Sequence, residues 1–465
     1  MSPSSVMPAH SMAAETVSCT LVITRHAHAE ILFIKKEPDV FELPKFSIPR
    51  WERIAPHLAS QVKAHLLVDA ICLFSGEDGR PEYGTSRFCV LETWNAVGQQ
   101  ADGLAWMSID GADWEGALSE ANRRTLQTAI SRAKAYDRGA STGPFARSGW
   151  FNQLRSWIEG QLPKQGLELG TGWTQFNMGP EFCLLRLETN RAALWFKAVG
   201  EPNLKEYAIN TQLARLRSPH VPETIATHSI WHGWLMREAH GCHLDETSAP
   251  RSWEIVAQSL ANLQIASIGI CDDLLTAGCK DLRLQHLTNL IEPLLNVIHE
   301  LMAAQTVHTP RALRPKELSE LNGHLRLACE CLQAAEIPNT LGQIDLNPGN
   351  VLVTDDGAVF LDWAEASIGP PFFTLEYLIA LCERLQPNDA AAGNSIRDAY
   401  LVLWRVGYSE ELLRRMFRWT PLLAMLAFAA GSSGWQAGTE HIHPNVQKLL
   451  RSLARRMYKA TQTLA

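Results

Sequence analysis

QIDLNPGNVLVTDDGAVFLDW, residues 343–363, is the stretch from which the rest of the chain can be read. Asp345 and Asn350 share one loop, and Pro348 and Gly349 between them force a turn rather than a helix. Two short apolar runs, VLV and AVFL, flank the turn residues Asp355, Asp356 and Gly357, which predicts a hairpin. The hairpin brings the chain back, so Asp362 can approach the same place as Asp345 and Asn350. An aspartate at the end of an apolar strand is costly unless something cationic pairs with it. The plainer reading has Asp345 capping a turn, Asn350 bonding backbone and Asp362 capping a helix. It accounts for each residue singly, but not for strand, loop, hairpin and acid together.

Working outward, residues from Trp150 read as strands first and helices afterwards. GLELGTGWTQFNM, EFCLLRLET and AALWFKAVG are strand-like runs joined by short turns. A helix follows in NLKEYAINTQLARL, with Leu204, Ala208, Leu213 and Leu216 on one side, and then a strand pair containing HSIWHGWLMREA. After Gly241 the pattern is mostly helical. Phosphoryl transfer needs a positive anchor for phosphate, oxygen ligands for Mg²⁺, a base for the acceptor hydroxyl and a slot for adenine. Lys197, alternating with Phe196 and Ala198, suits the anchor, and Glu206 on the next helix suits its ion-pair partner. Asn350 and Asp362 suit the metal, and Asp345 the hydroxyl.

DLNPGNVLV and VFLDWAEASIGPPF resemble the aminoglycoside phosphotransferase and choline kinase family, whose loop commonly reads HGDxHPGN and whose later element reads IDW or LDW. The resemblance runs from about Trp150 to the C-terminus. It implies an α+β, protein-kinase-like bilobal fold, with a small β-rich N-lobe at 149–240 and a larger helical C-lobe at 241–465. The catalytic loop would be 343–363. It also implies an enzyme using ATP and Mg²⁺ on a small-molecule hydroxyl acceptor. Asp345 becomes the catalytic base, Asn350 and Asp362 the magnesium ligands, Lys197 the phosphate anchor and Glu206 its partner. Main-chain groups of Met236, Arg237, Glu238 and Ala239 would hold adenine, and the hairpin at Asn177–Gly179 would cover the phosphates. Two positions depart from the family pattern. Gln343 replaces the loop histidine, and a glutamine amide can both donate and accept in its stead. Thr374 stands near the place of a bracing aspartate. A kinase-fold pseudoenzyme or nucleotide-binding scaffold is the alternative reading.

Residues 17–135 read as a small α/β domain, followed by a linker at 136–148 and preceded by a flexible N-terminus at 1–16. VSCTLVIT, EILFIKK, RFCVLETW and GLAWMSID are its strands, LPKFSIP a turn, and RWERIAPHLASQVKAHLLVDA its helix, with Ile54, Leu58, Val62, Leu66 and Leu67 at helical spacing. A second helix precedes the linker, ending near Tyr136. This order resembles a Nudix hydrolase. The helix, however, offers Glu52 at its start and no other acid before Asp69, whereas Nudix enzymes gather metal with a pattern like REx2EE. The domain is therefore expected to be non-catalytic.

With 46% hydrophobic and 20% charged residues the composition is that of a globular protein, and a net charge of −7 argues against nucleic-acid or membrane-surface partners. The N-terminal stretch lacks a signal-peptide pattern and WTPLLAMLAFAAG is short for a bilayer span, which predicts a cytoplasmic protein. The ten cysteines show no repeated spacing and read as reduced thiols. His240, Cys242 and His243 lack a second ligand pair at zinc spacing, so HGCH reads as a loop.

Overall fold

The computed structural model describes residues 16–50, 52–77, 87–94, 103–110, 114, 116–247, 249–306, 308–344, 346–387, 389, 391–432 and 434–464. It divides into two units: Met1–Leu204 with Thr224–Glu238, and Lys205–Glu223 with Ala239–Ala465. Asp345 lies outside the described residues.

The first unit begins with β1 (Thr16–Arg25), β2 (Glu30–Glu37), β3 (Val40–Glu42), β4 (Lys45–Pro49), α1 (Ile54–Leu66), β5 (Ala70–Glu77), β6 (Arg87–Thr93), β7 (Leu104–Ser108) and α2 (Glu120–Asp137). Its mixed sheet has the order β3-β2-β1-β6-β5, with β4 added to β1 and β7 to β2. Strands β1 and β6 run parallel, and the other pairs antiparallel. Then come α3 (Trp150–Gln161), β8 (Leu169–Gln175), β9 (Cys183–Thr189), β10 (Leu194–Ala198), β11 (Thr224–His228) and β12 (Gly233–Arg237), the strands forming an antiparallel sheet ordered β11-β12-β10-β9-β8.

Strand alternation sends the side chains of the first sheet into two cores. Cys19, Leu21, Ile23 and Leu91 pack on Ala55, Leu58 and Val62 of α1. Val22, Phe33 and Val90 pack on Leu126 and Ile130 of α2, and this second core continues through Trp150, Phe151 and Leu154 of α3 to Leu185, Leu187 and Phe196 of the second sheet. Each fully buried large side chain contributes roughly 1.5–3 kcal/mol.

Three local expectations are corrected here. LPKFSIP is not a turn: residues Lys45–Pro49 form β4, paired with Thr16–Thr20, and burial of Ile48 fixes which face is inward. Leu67 is not on the apolar face of α1. It follows the helix in a left-handed conformation (φ 56°) and is 65% exposed. Residues from Trp150 do not begin as strand but as helix α3, which buries Trp150, Phe151, Leu154 and Ile158.

The second unit contains α4 (Lys205–Leu216), β13 (Cys242–His243), α5 (Pro250–Ser267), α6 (Cys271–Thr276), β14 (Lys280–Asp281), α7 (Leu284–Ala303), α8 (Pro315–Gln333), β15 (Thr340–Gln343), β16 (Val351–Val353), β17 (Ala358–Phe360), β18 (Ala366–Gly369), α9 (Phe372–Leu385), α10 (Ala392–Trp404), α11 (Glu410–Phe417), α12 (Thr420–Gly431) and α13 (Pro444–Thr461). The order of strands and then helices is the α+β arrangement expected. On α4 the buried apolar residues are Ile209 and Leu213, so the inward face is turned from the Leu204–Ala208 line toward Ile209. One core joins α5, α9 and α10 with the hairpin strands, and another joins α7, α8, α12 and α13. By length and composition Pro250–Thr276 could cross a membrane. Trp253, Val256, Leu260 and Leu263 of this stretch are buried in the first of these cores. Two small sheets, ordered β13-β16-β17 and β14-β18-β15, carry the residues of 343–363.

Candidate active site

Gln343 is the last residue of β15, paired with Ala366 of β18, and is only 2% exposed. Its main-chain N–H donates to Thr374 Oγ1 at 3.1 Å, so the threonine at the family's aspartate position does brace this strand. Its Nε2 donates to the carbonyl of Asp362 at 2.6 Å and, more weakly, to that of Leu361 at 3.5 Å. Its Oε1 is buried with no hydrogen-bond partner among the described residues. Gln343 therefore ties the start of the loop to the segment carrying Asp362 through its amide nitrogen alone.

The loop then turns through the 3₁₀ segment Pro348–Asn350. Asn347 Oδ1 accepts from Gly349 N at 3.1 Å, and Asn350 N donates to the Asn347 carbonyl at 2.8 Å. Strands β16 and β17 pair in register from Val351↔Phe360 to Val353↔Ala358 around the turn. One step further out, Leu361 N donates to the Asn350 carbonyl at 2.8 Å. This bond sets Asn350 opposite Leu361, the residue next to Asp362.

Asp362 itself lies in the left-handed region, with φ 58°, and its side chain is exposed. Aspartate tolerates this conformation better than most residues, but it still costs on the order of 1 kcal/mol. Gln343 holds the carbonyl of this strained residue, and strain maintained by a buried partner is a mark of functional sites. Asp362 Oδ1 accepts a long bond from Ala364 N at 3.4 Å. Asn350 and Asp362 offer an amide oxygen and a carboxylate, donors of the kind Mg²⁺ prefers, and Mg²⁺ completes its shell with water and phosphate. They fit that ion. Among the described residues no three His, Cys, Asp or Glu side chains converge to hold a metal by themselves; in HGCH, Cys242 is exposed and His243 Nδ1 is buried without a hydrogen-bond partner.

Sequence reasoning missed two neighbours. Asp245 follows β13, which pairs with β16, and its Oδ2 would lie 3.7 Å from a Cβ placed on Gly349. Gly241 permits this pairing, since a Cβ there would stand 2.7 Å from the Val353 carbonyl. Lys280, first in β14, bonds the Glu365 carboxylate and, at 2.6 Å, the carbonyl of Gly431. Neither pairing has a local signature, because each joins segments far apart in the chain.

In the first unit, Lys197 stands in β10 opposite Leu184 and Trp234, half-buried, with Nζ 5.7 Å from the Trp234 ring centroid. Glu206 is in the first turn of α4 and only 2% exposed; a carboxylate that buried persists only when paired. The two residues fall in different units. At the end of β12, Met236 pairs with Trp195 and Arg237 with Leu194. Arg237 also donates to Gln165 Oε1 at 3.1 Å. The Glu238 carboxylate accepts from Arg186 at 2.5 and 3.0 Å and from Trp195 Nε1 at 3.0 Å, and this pairing raises the Arg186 pKa. The Glu238 N–H is committed to the Ala193 carbonyl at 3.0 Å, so it is not a free donor for a base. Ala239 opens the second segment of the second unit and is half-buried.

The role of Gln343 can be tested directly. Gln343→Leu removes the donor to Asp362 and leaves a carbonyl unpaired, an expected loss of about 1–3 kcal/mol in denaturant unfolding. Gln343→His keeps a ring N–H and removes the orphaned Oε1, and is expected to preserve or raise turnover. A fall in turnover for the histidine variant would mean that the loop has been rebuilt around the glutamine.

Residues 200–412 match the phosphotransferase enzyme family. A comparison with curated proteins gives no match. Solved structures similar to the chain include a macrolide 2'-phosphotransferase from Brachybacterium faecium (14% identity, TM-score 0.41, 64% of this chain and 97% of that one). A choline kinase from Cryptosporidium parvum (12%, 0.42, 67% and 96%) and an ethanolamine kinase from Plasmodium vivax (13%, 0.40, 63% and 83%) are also similar. The matched span takes in Glu206, Met236–Ala239, Gln343, Asn350 and Asp362, while Lys197 lies just before it. The resemblance borne by DLNPGN and LDW is thus found again over the helical part of the chain: residues 200–412 match the phosphotransferase enzyme family.

Proposed function

We propose that this protein is an ATP- and Mg²⁺-dependent phosphotransferase that moves the γ-phosphate to a hydroxyl of a small molecule. The observation that carries this reading is the union of loop and hairpin: the Leu361–Asn350 bond at 2.8 Å and the Gln343–Asp362 bond at 2.6 Å, within the span of the family match. In this reading Asn350 and Asp362 give oxygen ligands to Mg²⁺, and Asp345 orients the acceptor hydroxyl and takes its proton. Lys197 anchors phosphate, and Glu206 holds the lysine in its charged, extended form. Adenine rests against the main chain of Met236–Ala239, using groups other than the committed Glu238 N–H. Mg²⁺ with ATP supplies the phosphoryl group and offsets its charge.

A second reading, a kinase-fold nucleotide-binding scaffold, draws on Gln343 in place of histidine. Release of ADP across a panel of hydroxylated metabolites, amino alcohols and antibiotics decides between them. Acceptor-dependent ADP release supports the enzyme. Binding of Mg²⁺·ATP with no release across the panel supports the scaffold, and no binding at all removes both.

A further inference from the structure

Gln175, the last residue of β8, is only 2% exposed and uses its whole amide on one residue of the N-terminal sheet. Cys72 N donates to Gln175 Oε1 at 2.8 Å, and Gln175 Nε2 donates to the Cys72 carbonyl at 2.9 Å. Cys72 belongs to β5, the edge of its sheet, where unpaired main-chain groups need a partner. The hairpin that follows Gln175 is held at Phe176, Met178, Pro180 and Glu181. Phe176 lies under the Arg53 guanidinium, 6.0 Å from its ring centroid, and packs on Trp195 at 4.8 Å. Met178 packs against the core between α1 and the first sheet. On the return side, Phe145 N donates to the Pro180 carbonyl at 3.3 Å. The Glu181 carboxylate accepts from Thr142 N at 3.1 Å and Gly143 N at 2.9 Å. Gly143 is pressed so close that a Cβ would stand 2.2 Å from the Pro180 carbonyl.

We infer that the N-terminal sheet and the segment around Gly143 serve as an intramolecular clamp that pre-orders the hairpin Asn177–Gly179 for the nucleotide, with Gln175 as its positioning residue. This rests on the phosphotransferase reading above, in which that hairpin covers the phosphates. A glycine-rich phosphate loop is mobile when free and loses that freedom on binding its ligand. Between Gln175 and Glu181 this chain has one glycine, Gly179. Its order draws also on partners outside the second sheet, Cys72, Arg53, Thr142 and Gly143 among them, so the cost is met on folding rather than on binding. The N-terminal domain thereby acquires a role in nucleotide affinity that needs no chemistry of its own.

The test measures hydrogen exchange of residues 176–184 in the full-length protein, with and without a non-hydrolysable ATP analogue and Mg²⁺, beside the kinetics of Gln175→Ala and Gly143→Ala. A pre-ordered hairpin should be protected without nucleotide, with exchange slowing less than about threefold on binding. Both variants should lose that protection and raise the KM for ATP by about tenfold, with kcat changed less than about twofold. A hairpin unprotected in the free protein and ordered only by nucleotide overturns the proposal, even if neither variant folds. Variants that lose protection and keep the ATP KM overturn it too. If the unaltered protein binds no Mg²⁺·ATP, the phosphotransferase reading fails first and takes this one with it.

Discussion

Replacing Asp345 with asparagine should lower phosphotransfer by about 10²–10⁴-fold while leaving the affinity for Mg²⁺·ATP within about twofold. The asparagine matches the carboxylate in size and can still orient an acceptor hydroxyl, but it cannot take its proton. The neighbours of Asp345 are fixed on both sides: Gln343 by the Thr374 and Asp362 bonds, and Asn347 by its bond from Gly349. A change of charge at Asp345 should therefore not dismantle the loop. Turnover with an acceptor from the panel and a nucleotide-induced thermal shift are measured on the same preparation. Undiminished turnover would remove Asp345 as base. A lost thermal shift would move it from proton transfer to nucleotide or metal binding.

The experiment also bears on the scaffold reading. A nucleotide-binding scaffold has no need of Asp345, so Asp345→Asn would leave every property of such a protein unchanged. Asp345, Asn350 and Asp362 lie within the span of sequence that matches the phosphotransferase enzyme family, and Lys197 lies just before it. The departures, Gln343 and Thr374, are bonded to each other, and Gln343 is bonded to the Asp362 segment, which keeps the loop attached.

The parts of the fold that were legible in the sequence depend on local chemistry. The hairpin Val351–Phe360 is written in its apolar runs and its Asp-Asp-Gly turn, and the strand pair before Gly241 in its alternation. Helix α3 carried a readable signal too, since Trp150, Phe151, Leu154 and Ile158 recur at helical spacing. Its aromatic residues also suit strands, and the strand-like runs after it drew the reading that way. Strand β4 was hidden by its prolines. Pro44 gives only its carbonyl, accepting from Leu21 N at 2.8 Å, and Pro49 ends the strand, so neither has to donate within the ladder. What could not be read is long-range. Nothing near Gln175 in sequence points to Cys72, 103 residues away, and nothing near Lys280 points to Glu365, 85 residues away. In the candidate site the turn that carries Asn350 and the hairpin that leads to Asp362 were legible. The left-handed backbone of Asp362 was not, nor was the use of the Glu238 N–H within the sheet.

That left-handed backbone decides how the metal assignment should be tested. An alanine at 362 would remove the carboxylate and also add backbone strain at φ 58°, on the order of 1 kcal/mol, confounding the two effects. Asparagine adopts the left-handed region as readily as aspartate and can keep the bond from Ala364 N, so Asp362→Asn isolates the charge. The expected result is an unfolding midpoint close to that of the unaltered protein without ligand. Mg²⁺·ATP should bind about 100-fold more weakly, equivalent to about 2.7 kcal/mol of lost ligand stabilisation. Binding of ATP without the metal should change little, because the residues proposed to hold phosphate and adenine, Lys197 and Met236–Ala239, are untouched. Asp362→Ala should show the same loss of magnesium-dependent stabilisation together with a lower midpoint. If Asp362→Asn kept the full magnesium-dependent shift, Asp362 would not be a metal ligand, and its strained backbone would need another explanation, the Gln343 bond being the first candidate.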